Sequence, residues 1–325
     1  MKAWVFTKYG SPEILQLREI AKPAPKENEV LVKIHATAVN DYDWSMIRGK
    51  PYLYRLLFGL LKPKHQIPGM ELSGTIESAG TNAKSFKVGD AVYGDISAYG
   101  FGSFAEYMSI NEKALTLKPD EMSFEEATAI PHAATLALQG LVDAGDIKKG
   151  QKILINGAGG GMGTFGLQIA KLYNAELTGV DTGDKLNMMR EIGFDHIIDY
   201  KKEDFTKNGQ NYDLILDAKT TRSTFDYLRA LSPKGKYVTV GGYLNRLFPM
   251  LLLKPFISVF SKKRIHILAL KPNKDLNYIS ELFEAGKIRP IIDGPFNLKE
   301  LPEAIQYFGE GRHQGKVIIV NNAPL

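Results

Sequence analysis

The apolar stretches in the first part of the chain are short, and glycine or proline separates most of them. Up to about residue 120 they have the length and composition of strands, as in Val30–Ile34, Gly74–Glu77 and the turn and strand at Val88–Gly94. Only Asp43–Leu61 is typical of helix or irregular structure. A strand-rich block of this kind predicts a separate small barrel or sandwich.

The pattern changes at Ser123, where Glu126 three residues later completes a capping box for a short helix. A second helix is predicted over His132–Leu141, and strands and helices then alternate. This alternation predicts an α/β fold with a doubly wound parallel sheet and right-handed crossovers. The predicted strands are Lys152–Ile155, Glu176–Val180, His196–Asp199, Leu214–Asp217 and Lys236–Val240, and the predicted helices are Gly163–Tyr173, Lys185–Ile192 and Ser223–Leu231.

The C-terminal part begins with residues 243–260, which are densely apolar, carry prolines and are interpreted as an apolar loop. A strand is predicted over Ile265–Leu270 and a helix over Asn273–Gly286, with Ile279, Leu282 and Phe283 on one face. A helix at Leu301–Phe308 and a strand at Lys316–Val320 follow. We expect this end to return to the strand-rich block.

A glycine-rich loop links the first strand of the alternating region to its first helix. Gly157, Gly160 and Gly163 give the spacing G-x-x-G-x-x-G directly after the strand, whereas a G-x-G-x-x-G on Gly161, Gly163 and Gly166 begins too late. Glycine allows the sharp turn and the close approach of a diphosphate, which the helix N-terminus then binds. We therefore expect a dinucleotide site contacted by Gly157, Gly160, Gly161, Met162 and Gly163.

Length and charge narrow the class of protein. A chain of 325 residues predicts two domains, and its interspersed net charge of +5 gives no nucleic-acid-binding stripe. The absence of cysteine excludes disulfides and thiolate metal ligands. We expect no signal peptide, no transmembrane helix and a cytoplasmic protein.

Several segments, in this order, resemble the medium-chain dehydrogenase/reductase superfamily in its zinc-independent quinone oxidoreductase branch. They are AVNDYDW at Ala38–Trp44, IPGMELSG at Ile67–Gly74, FKVGDAVYG, INGAGGGMGTFGLQIAK, FDHIIDYKKEDF and GKIRPIIDGPFNLKELPEAI. The resemblance implies a β-rich GroES-like catalytic domain, residues 1–122 and 268–325, into which a Rossmann domain, residues 123–267, is inserted. It also implies an NAD(P)H-dependent oxidoreductase and a homodimer.

The chain departs from the zinc-dependent members of that superfamily. A zinc alcohol dehydrogenase needs a cysteine near Asn40–Tyr42 and a histidine where Met70 stands, and this chain has neither. We therefore expect no metal. Glu71 remains, and we interpret it as a structural carboxylate.

The identity of the dinucleotide depends on the second and third strands of the alternating region. Asp181, at the end of the second strand, favours the free ribose hydroxyls of NAD(H). Lys185 and Tyr200 resemble the family's clamp for the 2′-phosphate of NADP(H), and neighbouring strand ends can bring both to one ribose. We favour NADP(H), with NAD(H) as the alternative.

The reacting end of the cofactor is expected beyond the ends of later strands, near Ala218, Gly241 and Gly242. Thr135 resembles a family threonine that touches the cofactor, although its hydroxyl could also bond to its own helix.

Hydride transfer to a quinone or an α,β-unsaturated carbonyl needs donors for the developing oxyanion. Asn40 and Tyr42 are the candidates, with Tyr52 close by in sequence, and we interpret His132 as a partnered core histidine.

The apolar segments 52–61 and 247–260 either surround a cleft for a small lipophilic substrate or touch a membrane surface, or they form a dimer interface or core. We favour a mixture, in which part of 247–260 lines the cleft. Two other functions stay open: a nucleotide-binding protein of the same fold with little catalysis, and an NAD(H)- and metal-dependent alcohol dehydrogenase.

Overall fold

The computed structural model describes residues 1–321, apart from the side chain of Leu57. The chain forms two compact units. The first comprises Met1–His132, Pro272–Glu284 and the segment from Ile292 onward, and the second comprises Ala133–Lys271 and Ala285–Ile291. The domain bounds predicted from the sequence stay a prediction.

The first unit is built on a seven-stranded sheet in the order β14-β15-β3-β4-β5-β7, with β6 paired to β3. A two-stranded antiparallel ribbon, β1-β2, accompanies it. Its strands are β1 (Lys2–Val5), β2 (Gln16–Glu19), β3 (Glu29–Ala38), β4 (Glu71–Ala79), β5 (Ala91–Asp95), β6 (Tyr107–Asn111), β7 (Thr116–Leu117), β14 (Ile292–Asn297) and β15 (Lys316–Val320). Its helices are α1 (Asp41–Arg48), α2 (Tyr54–Phe58), α3 (Phe124–Ala129), α9 (Leu276–Glu284) and α10 (Leu301–Gly309).

The C-terminal strand completes this sheet, as the sequence predicts. β15 pairs antiparallel with β3, so that Ile318 lies opposite Ala38 and Val320 opposite Ala36. Every residue of β15 is buried. Because β3 also pairs with β4 and β6, the last described strand lies beside the centre of the sheet.

The second unit is a six-stranded parallel sheet in the order β10-β9-β8-β11-β12-β13. The central strands β8, β9 and β11 are buried on nearly every residue, which is typical of a sheet covered on both faces. The chain places β9 and β10 on one side of β8 and then returns to place β11 on the other, so the switch point lies between β8 and β11. This confirms the predicted doubly wound sheet.

The elements of this unit follow the predicted order. Its strands are β8 (Lys152–Asn156), β9 (Glu176–Asp181), β10 (His196–Asp199), β11 (Tyr212–Asp217), β12 (Leu231–Thr239) and β13 (Arg264–Ile267). Its helices are α5 (Gly161–Lys171), α6 (Lys185–Glu191), α7 (Thr224–Ala230) and α8 (Leu244–Phe260), while α4 (Pro131–Leu138) begins in the first unit and continues as a π-helical turn, Gln139–Ala144.

The interpretation of residues 243–260 as a loop is wrong. Leu244–Phe260 form the seventeen-residue helix α8, which has Tyr243 as its N-cap and contains Pro249 and Pro255. Met250 and Ile257 are buried in the core of the second unit and Leu253 packs against it. Their spacing puts these residues on one helical face, and this packing outweighs the cost of the two prolines.

The strand predicted over Ile265–Leu270 ends at Ile267, and the following helix begins at Leu276 rather than at Asn273. Asn273 and Asp275 have φ angles of 58° and 63°, in the left-handed region, which a right-handed helix cannot include. The Asn273 side chain accepts from the Asp95 amide and donates to the carbonyls of Asp95 and Ala114.

Candidate functional site

The glycine loop lies at the switch point of the parallel sheet. Gly157 follows β8 with φ of 88° and donates to the Val180 carbonyl at 3.0 Å, while Gly160 is the N-cap of α5. A methyl group at Gly163 would collide with the Gly157 carbonyl and lie 2.5 Å from Cα of Ala158. Gly161 and Met162 open α5 beside it. The helix therefore starts against the strand end, where its free N–H groups can bind a diphosphate.

Asp181, Lys185 and Tyr200 come together beside this loop. Asp181 accepts from the amides of Gly159 at 2.9 Å and Thr182 at 3.0 Å, and one of its oxygens lies 3.7 Å from Nζ of Lys185. Both charged residues are buried. Tyr200 donates its amide to the Asp181 carbonyl and leaves its ring half exposed.

The expected nicotinamide end is built around a buried carboxylate. Asp217, at the end of β11, accepts from Asn156 at 2.8 Å, from the Lys219 and Thr220 amides and from the Tyr237 hydroxyl. Ala218 follows it directly and donates its amide to the Asn156 carbonyl at 3.0 Å.

Two further predicted residues, Gly241 and Gly242, follow the neighbouring strand β12. The Gly241 carbonyl accepts from Thr220 at 2.6 Å and from Thr239 at 2.7 Å, and Gly242 has φ of 131°. These bonds hold the backbone rigidly at the carboxyl ends of β11 and β12.

Thr135 lies on α4 and is fully buried. Its hydroxyl has no hydrogen-bond partner among residues 1–321, so it does not bond to its own helix. A buried hydroxyl without a partner is costly, and a bound ligand would supply one. The glycine loop and this hydroxyl both fit a dinucleotide in the second unit.

In the first unit, Asn40 belongs to a buried ionic network. Glu71 lies 2.5 Å from Nζ of Lys316 and accepts from Nδ2 of Asn40 at 2.7 Å and from the His132 amide at 2.6 Å. Lys316 also donates to Oδ1 of Asn40 at 2.7 Å. Both the nitrogen and the oxygen of the Asn40 side-chain amide are thus bonded to protein side chains, which hold the amide in one position. These partners agree with the interpretation of Glu71 as a structural carboxylate.

Asp43 is buried beneath this network. It accepts from the amides of Asn40 at 2.9 Å and Gly69 at 3.0 Å. Burial raises the pKa of Asp43 to about 7, against the opposing effect of the two N–H donors and the charge of Lys316.

His132 and Tyr42 form a second polar group. Nδ1 of His132 lies 2.8 Å from Oδ2 of Asp95, and its ring meets the Tyr42 ring edge-on, with centroids 6.1 Å apart. Burial lowers the pKa of His132, but the hydrogen bond and charge of Asp95 outweigh it and raise the pKa overall. Burial and then the Asp95 charge raise the pKa of the Tyr42 phenol. Tyr42 is 42% exposed and so presents its ring to solvent.

The structure separates Tyr52 from this group. Tyr52 is 67% exposed and packs beside the Arg55 guanidinium, with a ring centroid 5.0 Å away. Tyr54, not Tyr52, stacks on Tyr42, with centroids 6.4 Å apart. The segment forms a helix from Tyr54, which turns Tyr54 rather than Tyr52 toward α1.

Sequence reasoning missed Lys316 and Asp95. Lys316 begins the otherwise apolar strand KVIIV, which was a signal for a buried charge, because a buried lysine needs a carboxylate partner. Nothing in the local sequence links Asp95 to His132. Within residues 1–321 no group of three or more His, Cys, Asp and Glu side chains could hold a metal, and Met70 is fully buried.

Comparison with known proteins agrees with this architecture. The family model of the alcohol dehydrogenase GroES-like domain matches residues 26–120, and that of zinc-binding dehydrogenases matches residues 192–319. The chain is 34% identical to 2-methylene-furan-3-one reductase of Solanum lycopersicum, over 98% of this chain and 79% of that protein. The chain belongs to the medium-chain dehydrogenase/reductase superfamily, in its quinone oxidoreductase branch.

Two further relatives are similar along nearly the whole chain. The NADPH-dependent alkenal/one oxidoreductase of Arabidopsis thaliana chloroplasts is 31% identical, over 98% of this chain and 79% of that protein. The solved quinone oxidoreductase of Coxiella burnetii has a TM-score of 0.86 and 25% identity, with 99% of each chain covered. The predicted family and the GroES-like and Rossmann fold class are confirmed.

Proposed function

We propose that this protein is a zinc-independent, NADPH-dependent reductase of α,β-unsaturated carbonyls and quinones. The observation that carries the proposal is the glycine loop at the switch point between β8 and β11, in a chain whose relatives are named as such reductases. Family membership supports the general class, an NAD(P)H-dependent oxidoreductase. The acceptor class is our inference from the names of the relatives.

NADPH is favoured over NADH by the geometry around Asp181. Its carboxylate is buried, accepts two backbone N–H groups and faces Lys185, so most of its lone pairs are already directed at protein groups. Lys185 begins α6 and Tyr200 follows β10, which pairs with β9, so a 2′-phosphate here would gain a cation and a phenol. The NADPH-dependent Arabidopsis relative supports the same preference.

When bound, NADPH supplies the hydride, and the protein must position the acceptor and stabilise the oxyanion that forms on it. Tyr42 is the best-placed neutral donor in the first unit, because its ring is partly exposed and His132 and Tyr54 hold it from two sides. Asn40, bound to Glu71 and Lys316, fixes the start of α1 and hence the position of Tyr42. Water then provides the proton.

The proposal of zinc independence depends on the side chains at the positions where the zinc-dependent enzymes carry their metal ligands. The chain has no cysteine, Met70 stands in the histidine position, and Glu71 is bound by Lys316. A thioether and a paired carboxylate are poor substitutes for a zinc ligand set. The homodimer and the cytoplasmic location stay predictions.

A steady-state assay tests this proposal. Purified protein treated with a chelator is supplied with NADPH or NADH and with an enone, a quinone or a simple aldehyde. We expect NADPH oxidation with the enone or the quinone and none with the aldehyde. Tight NADPH binding without turnover would favour a nucleotide-binding protein, whereas stoichiometric zinc and activity lost on chelation would favour an alcohol dehydrogenase.

A further inference from the structure

Helix α8 carries two apolar faces, of which only one is packed. Leu253 and the buried Met250 and Ile257 lie toward the core of the second unit, and Leu247 is half-buried. Six other apolar side chains of the helix are more than half exposed, and they recur at the helical spacing on the opposite side. This exposed face consists of Phe248, Leu251, Leu252, Phe256, Val259 and Phe260, which are between 56% and 85% exposed.

The charges around the exposed face of α8 are of one sign. From Tyr227 to Lys274 the sequence contains no aspartate or glutamate, and basic residues border the helix. None of the exposed basic residues at its two ends and middle pairs with a carboxylate in the part of the chain that the structure describes; they are Arg246, Lys254, Lys262 and Arg264.

A segment of the first unit has the same composition. Tyr52, Leu53, Leu56, Leu60 and Leu61 are 54% to 89% exposed. Between Asp43 and Glu71 the sequence again has no acidic residue, while Lys50, Lys62 and Lys64 are exposed. Exposed leucine and aromatic side chains interspersed with lysine therefore occur twice in this chain.

The combination of exposed apolar side chains with basic residues favours a membrane surface over a second copy of the chain. In a symmetric dimer through α8, the basic residues of one copy would face the basic residues of the other, and their repulsion would oppose association. An anionic lipid surface instead offers negative headgroups to the basic residues and an apolar layer to the aromatic ones. No helix among residues 1–321 is long and apolar enough to cross a bilayer, so such a contact would be interfacial.

We propose that the exposed face of α8 docks the protein on an anionic membrane surface, with the apolar side chains at the acyl boundary and the basic ones among the headgroups. This contact is independent of the proposed reductase activity. It would place the enzyme next to acceptors that partition into the bilayer.

Vesicle co-sedimentation of the full chain tests the docking. One vesicle preparation contains phosphatidylcholine alone, and the other contains about a quarter phosphatidylglycerol. We expect binding to the anionic vesicles to be at least about tenfold stronger, and to weaken at about 0.5 M NaCl, which shortens the range of the electrostatic attraction. Equal binding to both preparations, or none to either, would overturn the proposal.

Two variants assign the binding to α8. F256S/F260S removes two exposed rings without touching the core, and F225S removes a ring of similar exposure from α7. We expect F256S/F260S to lose at least about tenfold in anionic-vesicle affinity, and F225S to bind within about twofold of the wild type. An unchanged circular dichroism melt confirms that both variants are folded.

Sedimentation velocity gives the competing outcome. If the wild type is an oligomer that F256S/F260S dissociates, and neither protein binds vesicles, the exposed face is an interface between copies and the membrane proposal is wrong. Because no step of these measurements uses NADPH or an acceptor, a failed reductase assay leaves their result unaffected.

Discussion

At the residue scale, two pairs of ionisable side chains meet inside the first unit. Glu71 meets Lys316 and Asn40, and His132 meets Asp95. A buried charge without a partner would cost several kcal/mol, so each pair fixes the position of both members. Asn40 and Tyr42, but not Tyr52, therefore contact a rigid polar layer.

The His132–Asp95 pair should make stability depend on pH. The raised pKa of His132 means that the folded state binds its proton more tightly, so the pair's extra stability is present below the ordinary pKa of 6.5 and is lost as pH rises through the folded value. His132→Gln should cost about 2 kcal/mol of unfolding free energy near pH 6, and less at higher pH.

Urea unfolding at several pH values between about 5.5 and 8.5 measures this difference. His196→Gln is the control, because His196 bonds to Glu176 at an exposed site, where a hydrogen bond contributes little. If the loss of unfolding free energy in His132→Gln stayed constant or grew with pH, the stabilising role of the His132–Asp95 pair would be contradicted.

Lys185 should discriminate between the two dinucleotides. Lys185→Ala removes the cation expected at the 2′-phosphate, so NADPH should bind about ten- to a hundredfold more weakly, while NADH affinity changes by less than about threefold. Fluorescence titration with both cofactors measures the ratio. Lys202→Ala, at an exposed position near Tyr200, serves as the control for general charge effects. Equal losses for NADPH and NADH would remove the clamp assignment.

At the element scale, the order of strands and helices in the second unit could be predicted because buried parallel strands are short apolar runs between helices of period 3.6. The glycine loop could also be predicted, since Gly157 has a left-handed φ and Gly163 leaves no room for a side chain. Helix α8 was missed because its prolines and its apolar residues on every side conceal the helical period. The packed face of that helix is set by Met250 and Ile257, a tertiary effect.

Gly163 should be the least replaceable glycine of the loop. Gly163→Ala forces a methyl group onto the backbone of Gly157 and Ala158, which should cost about 1 to 3 kcal/mol and weaken NADPH binding. The nearest atom to a methyl group at Gly241 lies 3.8 Å away, so Gly241→Ala should leave stability within about 0.5 kcal/mol. Thermal melts and NADPH titrations of both variants make the comparison. Equal stability of both variants would contradict the packing argument.

At the scale of the whole molecule, the first unit is assembled from distant parts of the chain. Family resemblance predicted the return of the C-terminal segment, but the bond that secures it, Lys316 to Glu71, spans a sequence separation of 245 residues. No local pattern encodes such a partner. The same holds for Asp95 and His132, which the sheet brings together from separate elements.

Breaking this long-range pair should destabilise the first unit strongly. Lys316→Met leaves Glu71 buried without its cation, which should cost about 3 to 5 kcal/mol. The double variant Lys316→Met with Glu71→Gln removes both charges and should recover a large part of that loss. Urea denaturation of the single and double variants measures the coupling. If the double variant lost the sum of the free energies that the two single variants lose, Lys316 and Glu71 would not be coupled as a buried ion pair.

The central claim is hydride transfer from NADPH to a conjugated acceptor without a metal. It is tested most directly by one turnover of chelator-treated protein with NADPH deuterated at C4, on the face that the enzyme uses, and with an enone as the acceptor. The account predicts deuterium at the β-carbon of the saturated product by NMR, and a solvent-derived proton at the α-carbon. Deuterium at the carbonyl carbon, giving an allylic alcohol, or transfer that returns only when zinc is added, would contradict it.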